Sequence, residues 1–203
     1  MTTTRTAERL SAPLGTEEAG YLVFSRGCSH LTIGVDGSME DLFRASFDGK
    51  VPHTSVDRGT LTVKYRPTLH PPRGEMTLSG KIPWAIKARM GMSDVVADLT
   101  DLHLTDLEIS GGASKIAVKL PRPEGTVRIR FGGGASNVEL IRPAGVPVRL
   151  RIGAGTSRLA VDDLRIGAAG GKTDWRSPAY DDAVDARYDI EIGAGASEVT
   201  IRT

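Results

Sequence analysis

A short tag recurs along most of this chain: glycine, one small or apolar residue, then serine, with aliphatic side chains two and four positions further on. It stands at Gly27-Cys28-Ser29, Gly91-Met92-Ser93, Gly112-Ala113-Ser114, Gly134-Ala135-Ser136, Gly155-Thr156-Ser157 and Gly195-Ala196-Ser197. A variant, Gly171-Lys172-Thr173, fills the gap between the last two. From Ser93 onward, successive tags lie 21, 22, 21, 16 and 24 residues apart. Such recurrence marks a repeat architecture, in which each unit buries its apolar face only by stacking on its neighbours. It also weakens the case for an enzyme, because a residue that returns in every unit is first a structural device.

Take the tag serine as position zero. Position plus two holds Leu31, Val95, Ile116, Val138, Leu159 and Val199, and position plus four holds Ile33, Ala97, Val118, Leu140, Val161 and Ile201. Upstream, positions minus nine, seven and five hold Val127/Ile129/Phe131, Val148/Leu150/Ile152 and Tyr188/Ile190/Ile192 in the later repeats. A period of two is that of a strand with one buried face. Inward positions are odd before the tag and even after it, so a one-residue change of parity must fall in the glycine-rich stretch. A bulge or a tight turn with a left-handed residue would supply it, and glycine is expected in that role. The tag serine is expected to satisfy corner amides through its side chain. A second corner follows each strand, as in Leu120–Gly125 and Arg142–Pro147, where proline and glycine break the ladder.

Two all-β architectures accommodate this pattern. In a single-stranded β-solenoid each repeat is one coil, and equivalent residues stack about 4.8 Å apart. In a meander each repeat is a hairpin. The solenoid is favoured, because stacked neighbours must match and the same slot here repeatedly holds the same residue type. The expectation is one β-solenoid domain of about seven to eight coils over 17–203, irregular over 17–80 and regular over 81–203, preceded by a flexible stretch, 1–16. In the irregular half, the Ser29 coil is clear. A second runs through Leu61, Val63 and Tyr65, and 67–74 reads as a loop.

Composition narrows the function. The 26 basic and 25 acidic residues leave a formal charge of +1, too small and too interspersed to attract nucleic acid or an anionic membrane. Aromatic residues make up only 5%, so Arg128, Arg130, Arg149 and Arg151 lack interleaved rings for stacking bases. No run approaches the ~18 apolar residues of a membrane-spanning helix. The opening residues have no apolar stretch like that of a signal peptide. A single cysteine excludes an internal disulfide framework and fits a reducing compartment. The expected location is cytoplasmic, without membrane insertion.

The coils, written as Ile/Val-x-x-Gly-Ala-Ser-x-Val-x-Val, resemble bacterial toast-rack and adhesin-like β-solenoid domains. One such domain forms the C-terminal part of LiaF-type cell-envelope stress proteins. The likeness covers 82–203 well and 21–65 loosely. It implies a β-solenoid with no catalytic residues to carry over, and a role in envelope-stress sensing as one alternative. A weaker resemblance is to bactofilins, β-helices that polymerise end to end.

Individual residues add little chemistry. Ser29 and His30 are strand neighbours, so their side chains diverge, and Cys28 sits in the slot that Ala113, Ala135 and Ala196 fill elsewhere. His53, His70 and His103 lack ligand spacing. Asp181, Asp182, Asp185 and Asp189 form an acidic stretch without the glycine and alternating ligands of a calcium loop. Gly132-Gly133-Gly134 and Gly153-Ala154-Gly155 are followed by strands rather than by the helix that a phosphate loop needs. Trp84 and Trp175 occupy apolar slots, whereas Tyr180, in the acidic loop, is expected to be exposed. The outward row at plus one is the one candidate for a polysaccharide-binding or -cleaving face. The reading is therefore a non-enzymatic scaffold that binds protein, itself included, with no cofactor, metal, nucleic acid or small-molecule ligand. Its expected interface is the last coil, taken to be uncapped: Tyr188, Ile190, Ile192, Val199 and Ile201, with Tyr180 beside it.

Overall fold

The computed structural model describes residues 8–66, 71–183 and 185–203. Among these, seven strand pairs each run up one sheet, turn at a glycine-rich corner or its equivalent, and return in a second sheet. They are β2 (Gly20–Phe24) and β3 (Cys28–Asp36), β6 (Thr60–Lys64) and β7 (Arg73–Ser79), β8 (Trp84–Ala88) and β9 (Met92–Asp98), β10 (Leu104–Ile109) and β11 (Ala113–Lys119), β12 (Gly125–Phe131) and β13 (Ala135–Ile141), β14 (Val148–Ile152) and β15 (Thr156–Val161), and β18 (Ala186–Ile192) and β19 (Ala196–Arg202). Successive pairs stack in parallel, with Ser29, Ser93, Ser114, Ser136, Ser197 and Ser157 in line. The fold is all-β and solenoid-like. The aliphatic slots behave as their period requires: Leu22, Ile86, Ile129, Ile190 and Leu150 stack in one sheet and Leu31, Val95, Ile116, Val138, Val199 and Leu159 in the other, all buried. Each such side chain contributes about 1.5–3 kcal/mol on leaving water.

The coils do not stack in chain order. One sheet runs β1-β4-β7-β3-β9-β11-β13-β19-β15-β16, with β1 (Glu8–Pro13), β4 (Asp41–Asp48) and β16 (Leu164–Ala169) added. The other runs β17-β14-β18-β12-β10-β8-β2-β6-β5, with β5 (His53–Asp57) and β17 (Thr173–Arg176). The last coil in the chain, β18/β19, is thus inserted between β12/β13 and β14/β15, and the β6/β7 coil lies outside β2/β3. Antiparallel strands finish both ends: β4, β1 and β5 at one, β16 and β17 at the other.

Charge explains the inserted coil. The outward face of the nine-stranded sheet carries Arg128 and Arg130 on β12, and Arg149 and Arg151 on β14. Stacked in chain order, these four arginines would face one another, and like charges directly opposite destabilise a sheet. β18 brings Asp189 and Glu191 between them, in register with both pairs. Arg151 lies 3.1 Å from Asp189 and 3.4 Å from Glu191, and Arg130 is 3.7 Å from Glu191. The alternation continues outward, with Arg149 at 2.6 Å from Asp174 of β17 and Lys87 at 3.6 Å from Glu108 of β10. Tyr188 anchors the insertion from inside: fully buried, it donates its hydroxyl to the Pro121 carbonyl at 2.7 Å.

Several expectations change. The β18/β19 coil is not an uncapped end: both its strands are paired on both sides, and Tyr188, Ile190, Ile192, Val199 and Ile201 are at most 1% exposed. Tyr180 is buried too, its ring under the Arg187 guanidinium at 4.8 Å. The Gly171-Lys172-Thr173 variant opens no coil; β17 runs antiparallel at the sheet edge, and Gly171 turns the chain with φ 81°. Trp84 is core, its indole N–H donating to the Ser79 carbonyl at 2.8 Å, but Trp175 on the edge strand is only half-buried. At the other end, Glu8–Pro13, expected to be flexible, pairs with β4 as β1. The expected loop over 67–74 gives way to β7 from Arg73; 67–70, with His70, lie outside the described residues.

Corner glycines are set by how closely coils approach. A Cβ on Gly193 would fall 2.4 Å from the Gly132 carbonyl oxygen, and one on Gly153 2.3 Å from that of Gly193. Gly34, by contrast, has open space around it. We predict that Gly193→Ala lowers stability by about 3 kcal/mol, as overpacking against fixed backbone does. Gly34→Ala raises it by roughly 0.5 kcal/mol, through a less flexible unfolded chain. Urea unfolding of the two variants beside the parent checks both.

Candidate interaction surfaces

The tag corner is built from backbone. Five of the six small-slot residues donate their amide to the tag glycine of the next coil: Cys28 to Gly91 (3.3 Å), Met92 to Gly112 (3.0 Å), Ala113 to Gly134 (2.9 Å), Ala135 to Gly195 (3.0 Å) and Ala196 to Gly155 (3.1 Å). On the near side of the corner, Gly193 donates to Phe131 at 2.7 Å and Gly153 to Ile192 at 2.8 Å. The ladder therefore runs through the corner instead of stopping at it. A Cβ on Gly91 or Gly134 would stand 2.9 or 3.2 Å from the neighbouring glycine oxygen, which is why these positions are glycine. None of the six serine-tag glycines has a positive φ.

The left-handed residue lies one step past the serine. His30, Asp94, Lys115, Asn137, Arg158 and Glu198 have φ between 50° and 56°. They are the residues that the strand registers skip: Ser114 pairs with Ser136 and Ile116 with Val138, leaving Lys115 and Asn137 unpaired in the ladder. The parity change is thus a left-handed kink stacked in register from coil to coil, and a non-glycine residue supplies it. The sequence signal was the run of polar residues at plus one, since αL costs a residue with a Cβ roughly 1–2 kcal/mol and Asn and Asp tolerate it best.

This geometry settles what the tag residues present. Serines 29, 93, 114, 157 and 197 are half-buried and Ser136 is exposed, so they line an open groove along the corner. Corner amides are met by carbonyls, not by these hydroxyls. Among the described residues, the one tag-serine side-chain hydrogen bond runs from Ser157 Oγ to Ser197 Oγ, 3.1 Å. The plus-one row is also paired across coils: Asp94 with Lys115 at 3.5 Å and Glu198 with Arg158 at 2.5 Å. His30 is exposed beside Ser29, while Cys28 points into the core. Burial pushes the Cys28 thiol up to about 12, against a smaller opposing effect of the Tyr65 hydroxyl, so it is no nucleophile at neutral pH.

The remaining charged candidates are drawn into pairs. Asp181 meets Arg176 at 3.1 Å and His103 lies 3.6 Å from Glu124, whereas His53 starts the edge strand β5. Asp182 and Asp185 are exposed. On the outward face of the ten-stranded sheet, Lys119 meets Asp98 at 2.8 Å and Arg202 meets Glu139 at 2.8 Å. Arg142, 5% exposed in its side chain, is held by Asp162 in the second corner. Many charges on both broad faces are thus paired internally. Among the described residues, the strands with a free side are at the ends: β1 and β16 in one sheet, β5 and β17 in the other.

A family profile described as the N-terminal domain of toast_rack, DUF2154, matches residues 32–141, just over half of the 203 residues. The chain belongs to the toast-rack family. The match ends with β13, so the last two coils and their cap lie beyond it. Among solved structures, this toast-rack protein is similar to a "putative cell adhesion protein" from Clostridium sporogenes, at 19% identity and a TM-score of 0.63, covering 98% of this chain and 100% of that one. That likeness is one of fold. No curated protein matches the chain. Among the described residues, no helix is long and apolar enough to cross a membrane.

Two predictions follow from the corner and the charge rows. His30→Gly should stabilise the protein by about 1 kcal/mol and His30→Val should destabilise it by about 1–2, because φ near 56° suits glycine and excludes a β-branched residue. Thermal melts would show the opposite shifts. The second concerns acid. Lys119 beside Asp98, and Arg149 beside Asp174, hold both carboxyls below the usual carboxylate range. A lowered folded-state pKa adds stability above the unfolded value of about 3.9, and that stability is lost as pH falls through the folded value. Stability should therefore decline below about pH 4. The deficit of Lys119→Met should be full at pH 6 and shrink as the pH falls below about 4, measured as urea midpoints.

Proposed function

We propose that this toast-rack protein is a non-enzymatic protein-interaction module, a stiff β-solenoid that engages partners, a second copy included, through the strands at its ends. One observation carries the reading: many charges on the broad faces pair coil to coil, and among the described residues the strands with an unpaired side are β1, β5, β16 and β17. An open edge offers a row of amides and carbonyls to an added strand, which supplies affinity without a pocket. Membership of the toast-rack family and a fold neighbour described as an adhesion protein support a binding role over a catalytic one. The internal coils serve to hold the two ends at a fixed separation, as solenoids do.

The test is site-specific photo-crosslinking in cells of the native host, with the full chain carrying the probe. Probes at Ser55 in β5 and Gly167 in β16 should give discrete protein adducts. The same probe at Thr32, on the broad outward face, should not. Adducts confined to Thr32, or none at either edge, would overturn the reading.

A further inference from the structure

The four open strands are not equal. β1 carries Glu8, Arg9 and Pro13, and β5 carries His53 and Asp57 with Arg58 after it. Charges and proline are the usual guards of a sheet edge. β16 carries one charge, Arg165, and from Ile166 through Gly167, Ala168, Ala169 and Gly170 to Gly171 no charge or proline follows. Beneath it, Leu164 and Ile166 are half-buried and pack on the core, and Trp175 of β17 does the same from the opposite sheet. This end of the stack is therefore finished by side chains that are themselves only half covered, between two strands that each lack a neighbour.

We propose that a second copy of this chain docks on this end, β16 against β16, antiparallel, about a two-fold axis at Gly167 and normal to the ten-stranded sheet. The inference rests on the interaction-module reading and names its partner. Four features fit that occupant. An isologous two-fold pairs the axial residue with itself, and Gly167 brings no side chain to that axis. Pairing outward from Gly167 sets Arg165 opposite Ala169, so no like charges face each other. It sets Lys172 of each copy opposite the turn of the other that carries the exposed Asp163, beside the Asp162 already held by Arg142, giving two complementary charge contacts from one rotation. The same rotation reverses strand direction in the nine-stranded sheet as well, so β17 meets its own copy antiparallel and Trp175 is covered. Both sheets become continuous through the dimer, and the open end is closed.

Sedimentation equilibrium of the full chain tests this, with three charge variants at exposed positions. The parent should be a dimer. Lys172→Glu and Asp163→Lys should each weaken the dimer at least ~10-fold, about 1.4 kcal/mol. The double variant Lys172→Glu/Asp163→Lys should recover the parent constant to within about threefold, since exchanging the partners restores both contacts. Unchanged melting temperatures in dilute solution would show that the variants remain folded. A monomer at about 0.1 mM, a dimer indifferent to Lys172→Glu, a double variant as weak as the singles, or growth into open filaments would each overturn the proposal. A monomeric chain that still gives partner adducts at the edge probes overturns only the self-docking and leaves the interaction reading in place.

Discussion

Everything in this molecule depends on one backbone contact, the hydrogen bond that crosses each corner from the small-slot amide to the glycine carbonyl of the next coil. A β-solenoid turns the chain at every coil, and a turn ordinarily interrupts the ladder. Here the ladder passes through the turn, from Cys28 at one side to Gly155 at the other. The backbones must then approach until a Cβ would touch the neighbouring oxygen, at 2.9 Å for Gly91 and 2.4 Å for Gly193. Buried amides left without acceptors would cost about 1–3 kcal/mol each, so the requirement for glycine is strong and repeated. The left-handed residue after each serine follows from it. Once the corner is this tight, the strand must regain its inward phase within one residue.

Charge decides the order of the stack. Inside, the β18 row Tyr188/Ile190/Ile192 lies beside Val127/Ile129/Phe131, and its Tyr188 hydroxyl reaches the Pro121 carbonyl, which Val148 of β14 could not do. The outward face separates the two coils further. Two arginine strands cannot be neighbours when an acidic strand is available to stand between them, and each exposed pair contributes only some 0.2–1 kcal/mol while together they set register. The consequence for function is that the end of the rod is not the end of the chain. It is β16 and β17, drawn from the middle of the C-terminal third, and beyond Arg165 the open edge of β16 is uncharged where the strands at the opposite end are guarded.

Much of this was legible in the residues. Period-two slots located the strands from Trp84 onward, the tag located the corners, and the slot logic placed Cys28 and Trp84 in the core. Three things were not. The role of glycine was misassigned, because close approach and left-handed conformation both select glycine, and only inter-coil distances tell them apart. β17 was taken for a coil, because four residues of alternation look alike in parallel and antiparallel strands. The open coil was misplaced, because a linear reading equates the last repeat with the last layer.

The sequence by itself determined the repeat, the buried slots and the phase change at every tag, since each follows from local spacing and side-chain size. Only the tertiary structure decided which coil lies beside which and hence which strands remain open. Neighbours in a solenoid are chosen by complementary charge rows and corner fit between segments as far apart as Arg128 and Asp189, and that choice has no signature in any single stretch of chain.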